Sequence, residues 1–323
     1  MKEFFNLLGW KDLIVVFLVM VLVRISIIIP FYSQWYLPPS ISWESFLIFT
    51  FGICFLFAGN NIAIRFYEEK RKILLQSNTS IINIKEYPDV VRFRGLWIVL
   101  WFVGLVASGY SCFKISGNYY YTILVILVLF IGYVYANYLR QTFLLGNIAL
   151  AILYSAVILS QLPHDSSTLI PYTYKFPNNW AFSYNDLIIL FVFLAGLVFA
   201  LTLLRDMTGD IVNIEQDSKM KYHTIGVKLG ERNSKLIMYI LSIAFMVITA
   251  VFLYFYKTKL DSIQLIITFA IIIIPIIYYM IMLQRAKMQT EYNYLYIFLG
   301  MLYISILFVI SFCKHLFING TIQ

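Results

Sequence analysis

The chain has 323 residues, of which 61% are hydrophobic and only 12% charged, with a net charge of +8. A soluble domain carries nearer half apolar residues, whereas here the excess is gathered into runs of about twenty, enough to cross ~30 Å of hydrocarbon. A soluble enzyme is excluded on that ground, and the lack of short alternating segments excludes an outer-membrane barrel.

In chain order the apolar runs fall at 13–31, 43–64, 95–113, 120–138, 143–162, 186–204, 234–256, 262–283 and 292–312. The expected fold is all-α: a polytopic membrane protein of nine transmembrane helices in one bundle, forming a single domain over 1–323. The start, "MKEFFNLLGWKDLIVVFLVM", lacks a small-residue cleavage site, so the first run reads as a retained span rather than a removable signal. Lys and Arg alternate strongly between loops. Eighteen lie on one side, and five on the other: Lys114, Lys175, Lys257, Lys259 and Lys314. Arg24 lies inside the first span. The positive-inside rule then puts the N-terminus in the cytoplasm, which suits a bacterial inner (cytoplasmic) membrane, with the long polar loops on the cytoplasmic side. The same bias accounts for the net positive charge through an anionic lipid leaflet, so membrane lipid is the expected partner and nucleic acid is not.

Three cysteines, Cys54, Cys112 and Cys313, sit in or near spans without metal-ligand spacing and read as small buried hydrophobes. Two cytoplasmic loops are long and polar, 65–94 after the second span and 205–233 after the sixth; on the outer side, 163–185 is rich in Pro, Tyr and Trp and reads as an interfacial lid. No motif specifies an oligomeric state.

Chemistry concentrates at three places. After the second span, "FAGNNIAIRFYEEKRK" puts Asn60, Asn61, Ile64 and Glu68 on one helical face, with amide and carboxylate oxygens suited to a cation. Arg65, Lys70, Arg71 and Lys72 follow, able to clamp a phosphate or simply to mark the cytoplasmic side. In "YANYLRQTFLLGNIAL", Arg140 occupies a very short loop and Asn147 lies inside the next span, as a ligand or as helix–helix glue. The third place is the end of the sixth span, "LTLLRDMTGDIVNIEQDSKMKYHTIGVKLG". At roughly 100° per residue, Asp210, Asn213 and Asp217 fall within about 40° of Asp206 if the helix runs on. Such crowding is unfavourable unless something positive faces it. A hard cation with oxygen ligands fits, and Mg²⁺ keeps waters and bridges to phosphates; a solvated loop balanced by Lys219, Lys221 and Lys228 is the plainer alternative. Gly230 is the expected stop of the segment that follows.

These motifs resemble the UbiA-type family of intramembrane prenyltransferases. In "RDMTGDIVNIEQDSKMKYHTIGVKLG", Arg205, Asp206, Asp210, Asp217, Thr224 and Gly230 match the family's acidic motif after its sixth helix, with Asn213 in place of an acid. Arg140, Gly146 and Asn147 match a second pattern. The first aspartate-rich motif is degenerate: Asn60 holds its asparagine, while Asn61, Ile64 and Glu68 stand where three aspartates belong.

The resemblance implies transfer of a polyprenyl group from its diphosphate to an apolar acceptor drawn from the bilayer, a quinone precursor or lipid, with Mg²⁺ held between the two motifs. It assigns Asp206, Asp210, Asn213, Asp217 and Glu68 to the metal, and Asp206, Asp210 and Arg140 to catalysis. Asn60, Asn61, Arg65, Lys70, Arg71, Asn147 and Lys221 are assigned to the substrate. Two alternatives stay open: a terpene cyclase of the same type, and a non-catalytic isoprenoid-binding protein.

Overall fold

The computed structural model describes residues 8–34, 41–77, 88–116, 120–162, 183–257 and 262–313. Each apolar run lies on a helix. Helix α1, Trp10–Val23, continues through a π-helical turn, Arg24–Ile28, into α2, Ile29–Gln34. Then come α3 (Trp43–Ser77), α4 (Pro88–Ser116), α5 (Tyr120–Asn137), a 3₁₀ turn (Leu139–Gln141) and α6 (Leu145–Leu159). After the undescribed stretch that holds most of the 163–185 loop follow α7 (Tyr184–Val212), the short α8 (Ile214–Lys219), α9 (Ile225–Tyr256), α10 (Ser262–Arg285) and α11 (Gln289–Phe312). Among the described residues, seven helices are long and apolar enough to cross a membrane, and the apolar helices Tyr121–Asn137 and Leu145–Leu159 are shorter. No strand occurs among these residues.

The core forms around α7, whose Phe191, Leu194, Leu204 and Met207 are buried against α6, α9 and α11. A second cluster joins α3, α4 and α5 through Phe46, Phe49, Trp101 and Val125. The first helix belongs to both: Val16 and Met20 face the α3 side, and Val19 and Val23 the α7 side. Large apolar side chains also remain on the outside, among them Phe102, Ile248, Phe255 and Ile266. A water-facing surface rarely carries so much apolar area, and hydrocarbon is its natural solvent. Arg24, the charge inside the first span, is buried; its guanidinium donates to the Ile41 carbonyl at 2.5 Å and lies over the rings of Phe46 and Trp43. Pairing of this kind is what an intramembrane charge requires.

Two departures from the sequence reading place the site. The polar stretch after the second span is not a loop along most of its length: α3 runs on to Ser77, and α4 begins at Pro88. Straight-chain Glu, Lys and Arg carry helix well without burial, and Lys72 pairs with Glu69 at 2.6 Å within this extension. The acidic helix, by contrast, does not run on. It ends at Val212, and Asn213, with φ −100° and ψ 11°, turns the chain into α8. Gly230 does interrupt the next helix, at φ 71°.

Candidate active site

Asp206 and Asp210 are one turn apart on α7 and face the start of α6. The Asn147 side-chain amide donates to Oδ2 of both, at 2.9 Å each. The two carboxylate oxygens are therefore separated by at most twice that distance. Asn147 itself is buried and lies in the first turn of α6, the end of a helix whose dipole favours anions. A neutral amide orients two anions in this way without neutralising them.

Asp217 reaches the group by another route. It sits on α8, and its Oδ2 accepts a hydrogen bond from Thr224 Oγ1 at 3.0 Å. The reversal between them is tight: Lys221 has φ 54°, and Tyr222 N donates to the Asp217 carbonyl at 2.9 Å. Burial pushes the Asp217 carboxyl above its ordinary range, opposed by the Thr224 hydrogen bond and the Arg140 charge, while Glu68 and Asp206 push the same way as burial.

The extended end of α3 holds this reversal down. Arg71 Nε donates to the Met220 carbonyl at 2.9 Å, its terminal nitrogen to the Lys221 carbonyl at 3.1 Å, and its guanidinium lies 4.8 Å from the centre of the Tyr222 ring. Replacing Arg71 with alanine should loosen residues 213–223. The expected result is about tenfold faster amide exchange there, since charged hydrogen bonds of this kind contribute roughly 1.5–3 kcal/mol. Unchanged exchange, measured by mass spectrometry in detergent, would show that Arg71 does not hold the turn.

Glu68, one helical turn before Arg71, forms a 2.5 Å ion pair with Arg140. The Arg140 loop is fixed from several sides: Gln141 Nε2 donates to the Asn137 carbonyl at 2.8 Å, Thr142 Oγ1 to the Leu139 carbonyl at 2.6 Å, and His223 N to the Gln141 carbonyl at 2.8 Å. Gly146 is required beneath it, because a Cβ there would meet the Leu139 carbonyl oxygen at 2.5 Å.

The side chains enclose a cavity of about 500 Å³ lined by Asp206, Asp217, Glu68, Arg140 and Arg65 among others, and a neighbouring one of about 290 Å³ that adds Asn147 and Asp210. Tyr135, Arg140, Asp206, Asp217, Tyr222 and Tyr296 line both, so the two form one polar chamber at one end of the bundle. The other expected residues lie as follows. Asn61 lines the chamber, but its amide donates to the Leu8 carbonyl at 3.0 Å. Asn60 is buried against Gly132, with its Oδ1 lacking a hydrogen-bond partner, and lines neither cavity. Lys70 lines neither cavity, Lys221 is exposed, and Asn213 is an exposed corner residue that lines both cavities.

Sequence reasoning matched Arg205 to the acidic motif without giving it a role, and did not single out Asp12; the two form a second polar group on the chamber wall. Arg205 lies 3.6 Å from Asp12 of α1 and 4.8 Å from the centre of the Tyr296 ring. The signal for Arg205 was its place at the head of the acidic motif, just past the sixth apolar run; Asp12 was hidden among ordinary flanking charges.

Among the described residues no three Asp, Glu, His or Cys groups form a ready-made metal cage. The α7 acids fit a cation nonetheless. Two carboxylates bridged only by a neutral amide leave net negative charge, and a small hard cation that keeps its waters needs few protein oxygens.

No protein-family model matches the sequence, and no curated protein does. Solved structures match over nearly the whole chain. A structure of digeranylgeranylglyceryl phosphate synthase is 18% identical, with a TM-score of 0.64, over 97% of this chain and 98% of its own. A UbiA homologue from Aeropyrum pernix K1 is 17% identical, with a TM-score of 0.56, over 91% and 96%. A UbiA homologue from Archaeoglobus fulgidus, bound to GPP and Mg²⁺, is 15% identical, with a TM-score of 0.56, over 96% and 99%. The chain therefore has the UbiA-type fold, and it is an integral membrane protein.

Proposed function

We propose that the chain is an intramembrane prenyltransferase that moves a polyprenyl group from its diphosphate to an apolar acceptor, a quinone precursor or lipid taken from the bilayer. One observation carries this reading: Asp206, Asp210 and Asp217 meet the Glu68–Arg140 pair around one chamber, in a chain with only 12% charged residues. The shared fold with a homologue bound to DMAPP and Mg²⁺ supports it. The 18-to-five distribution of Lys and Arg supports a cytoplasmic N-terminus and chamber, in a bacterial inner membrane.

Asp206 and Asp210, oriented by Asn147, would hold Mg²⁺ from the α7 side, and Asp217 from α8. Bound there, Mg²⁺ would neutralise the charge that grows on a leaving diphosphate. Arg140 and Arg65 supply fixed positive charge to the same oxygens. The bond from the allylic carbon to oxygen breaks with its electron pair going to the diphosphate. The carbon is then attacked by the acceptor, whose proton is taken up by the released diphosphate. Tyr135, Tyr154 and Tyr296 line the chamber, and their π faces suit a transient allylic cation.

Protein reconstituted in vesicles with labelled prenyl diphosphates should release diphosphate only when Mg²⁺ is present, and EDTA should stop it. Absence of both release and binding would sink the reading. A second reading, a non-catalytic isoprenoid-binding protein, is favoured by α3, where Ile64 offers no ligand atom and the Asn61 amide is engaged by the backbone of residue 8. Binding of prenyl diphosphate without release would select it.

A further inference from the structure

The polar chamber has two unlike walls. On the α7 wall, two carboxylates share one neutral amide and leave net negative charge. On the α3 wall, the helical face is Asn61, Ile64 and Glu68. Asn61 points its Nδ2 at the Leu8 carbonyl, Ile64 is apolar, and the Glu68 carboxylate closes at 2.5 Å on the Arg140 guanidinium. Positive charge is therefore already present on this wall, and it belongs to the protein.

We infer that the site uses a single divalent cation, held by the α7 acids, and that Arg140, fixed in place by Glu68, is the resident cation of the opposite wall. Glu68 is then a positioning residue for Arg140 rather than a metal ligand. The inference rests on the prenyltransferase reading and narrows it to how the diphosphate is neutralised. One divalent ion leaves a prenyl diphosphate anionic, and a guanidinium presents planar N–H donors to the remaining oxygens. Such a donor is most useful when it need not reorganise. The loop provides for that: its backbone and side chains are tied to Asn137, Leu139 and His223, and Gly146 lets the start of α6 close beneath Arg140. A close ion pair with a largely buried carboxylate restricts the remaining side-chain freedom; Glu68 is 17% exposed and Arg140 35%. A metal at Glu68 would compete with this guanidinium for the carboxylate and would find no second oxygen ligand at Ile64.

The test is a count of Mn²⁺ bound by the purified full chain in detergent, with geranyl thiolodiphosphate as the non-ionising probe, read by equilibrium dialysis and electron paramagnetic resonance. One Mn²⁺ per chain is expected. Glu68→Gln should keep that count at one and weaken probe affinity by about tenfold, the loss typical of a charge-assisted contact. Asp206→Asn should abolish tight Mn²⁺ binding. Two Mn²⁺ per wild-type chain, or loss of Mn²⁺ in Glu68→Gln, would overturn the inference while leaving the transferase reading intact. No binding of Mn²⁺ and probe to the wild type would overturn both.

Discussion

Asp210→Asn should lower Mg²⁺-dependent release of diphosphate by roughly 10²–10³-fold, the usual loss when one charge-stabilising group is removed from an active site. The substitution keeps the shape of the side chain, and an amide oxygen still accepts from Asn147 Nδ2, whose present hydrogen bond to this carboxylate is 2.9 Å long. Only the negative charge is lost. Asp206→Asn should behave alike, because the same amide reaches it at the same distance. The two losses should not add in the double variant, since both residues serve one ion. Thermal unfolding in detergent should change little, or rise, because removing one of two like charges relieves their repulsion. A rate within twofold of wild type for either variant would show that the α7 acids do not serve the reaction.

Gly226→Ala should be a strongly damaging small change outside the acids. A Cβ on Gly226 would sit 2.6 Å from the Asp210 carbonyl oxygen and 2.8 Å from Ile214 Cγ1. The first contact is with backbone, so the start of α9 must move away from the end of α7. Overpacking of this kind costs about 1–3 kcal/mol. The effect should exceed that on stability alone, because the shift separates Thr224 from Asp217, which are joined at 3.0 Å. The expected result is a lower melting temperature in detergent together with weaker Mn²⁺ binding. An unchanged melting temperature would contradict the close approach of the two helices.

The order in which residues meet the chamber explains what could be read in advance. Asp206 and Asp210 are separated by one turn of a single helix, and local periodicity is enough to pair them. Asp217 also belongs to the group, but for a different reason than periodicity suggested: the helix stops at Asn213, and Asp217 returns through a tight reversal capped by Thr224. Asn60 and Asn61 are adjacent and chemically identical, and spacing could not separate them. Packing sends one against Gly132 and the other to the Leu8 carbonyl. Arg71 and Lys70 differ in the same way: Arg71 closes on the α8–α9 turn, and Lys70 lines neither cavity.

Sequence alone determined that this chain is a helical membrane protein, where its apolar helices lie, and which short polar segments interrupt them. Those are consequences of hydrophobic length and of backbone hydrogen bonding in hydrocarbon, both local properties. Tertiary structure decided which of the polar groups share a chamber, that Asn147 bridges the two α7 acids, and that Glu68 holds an arginine. Such outcomes depend on contacts between residues more than fifty positions apart, and on a buried carboxylate taking the nearest donor that the folded bundle brings to it.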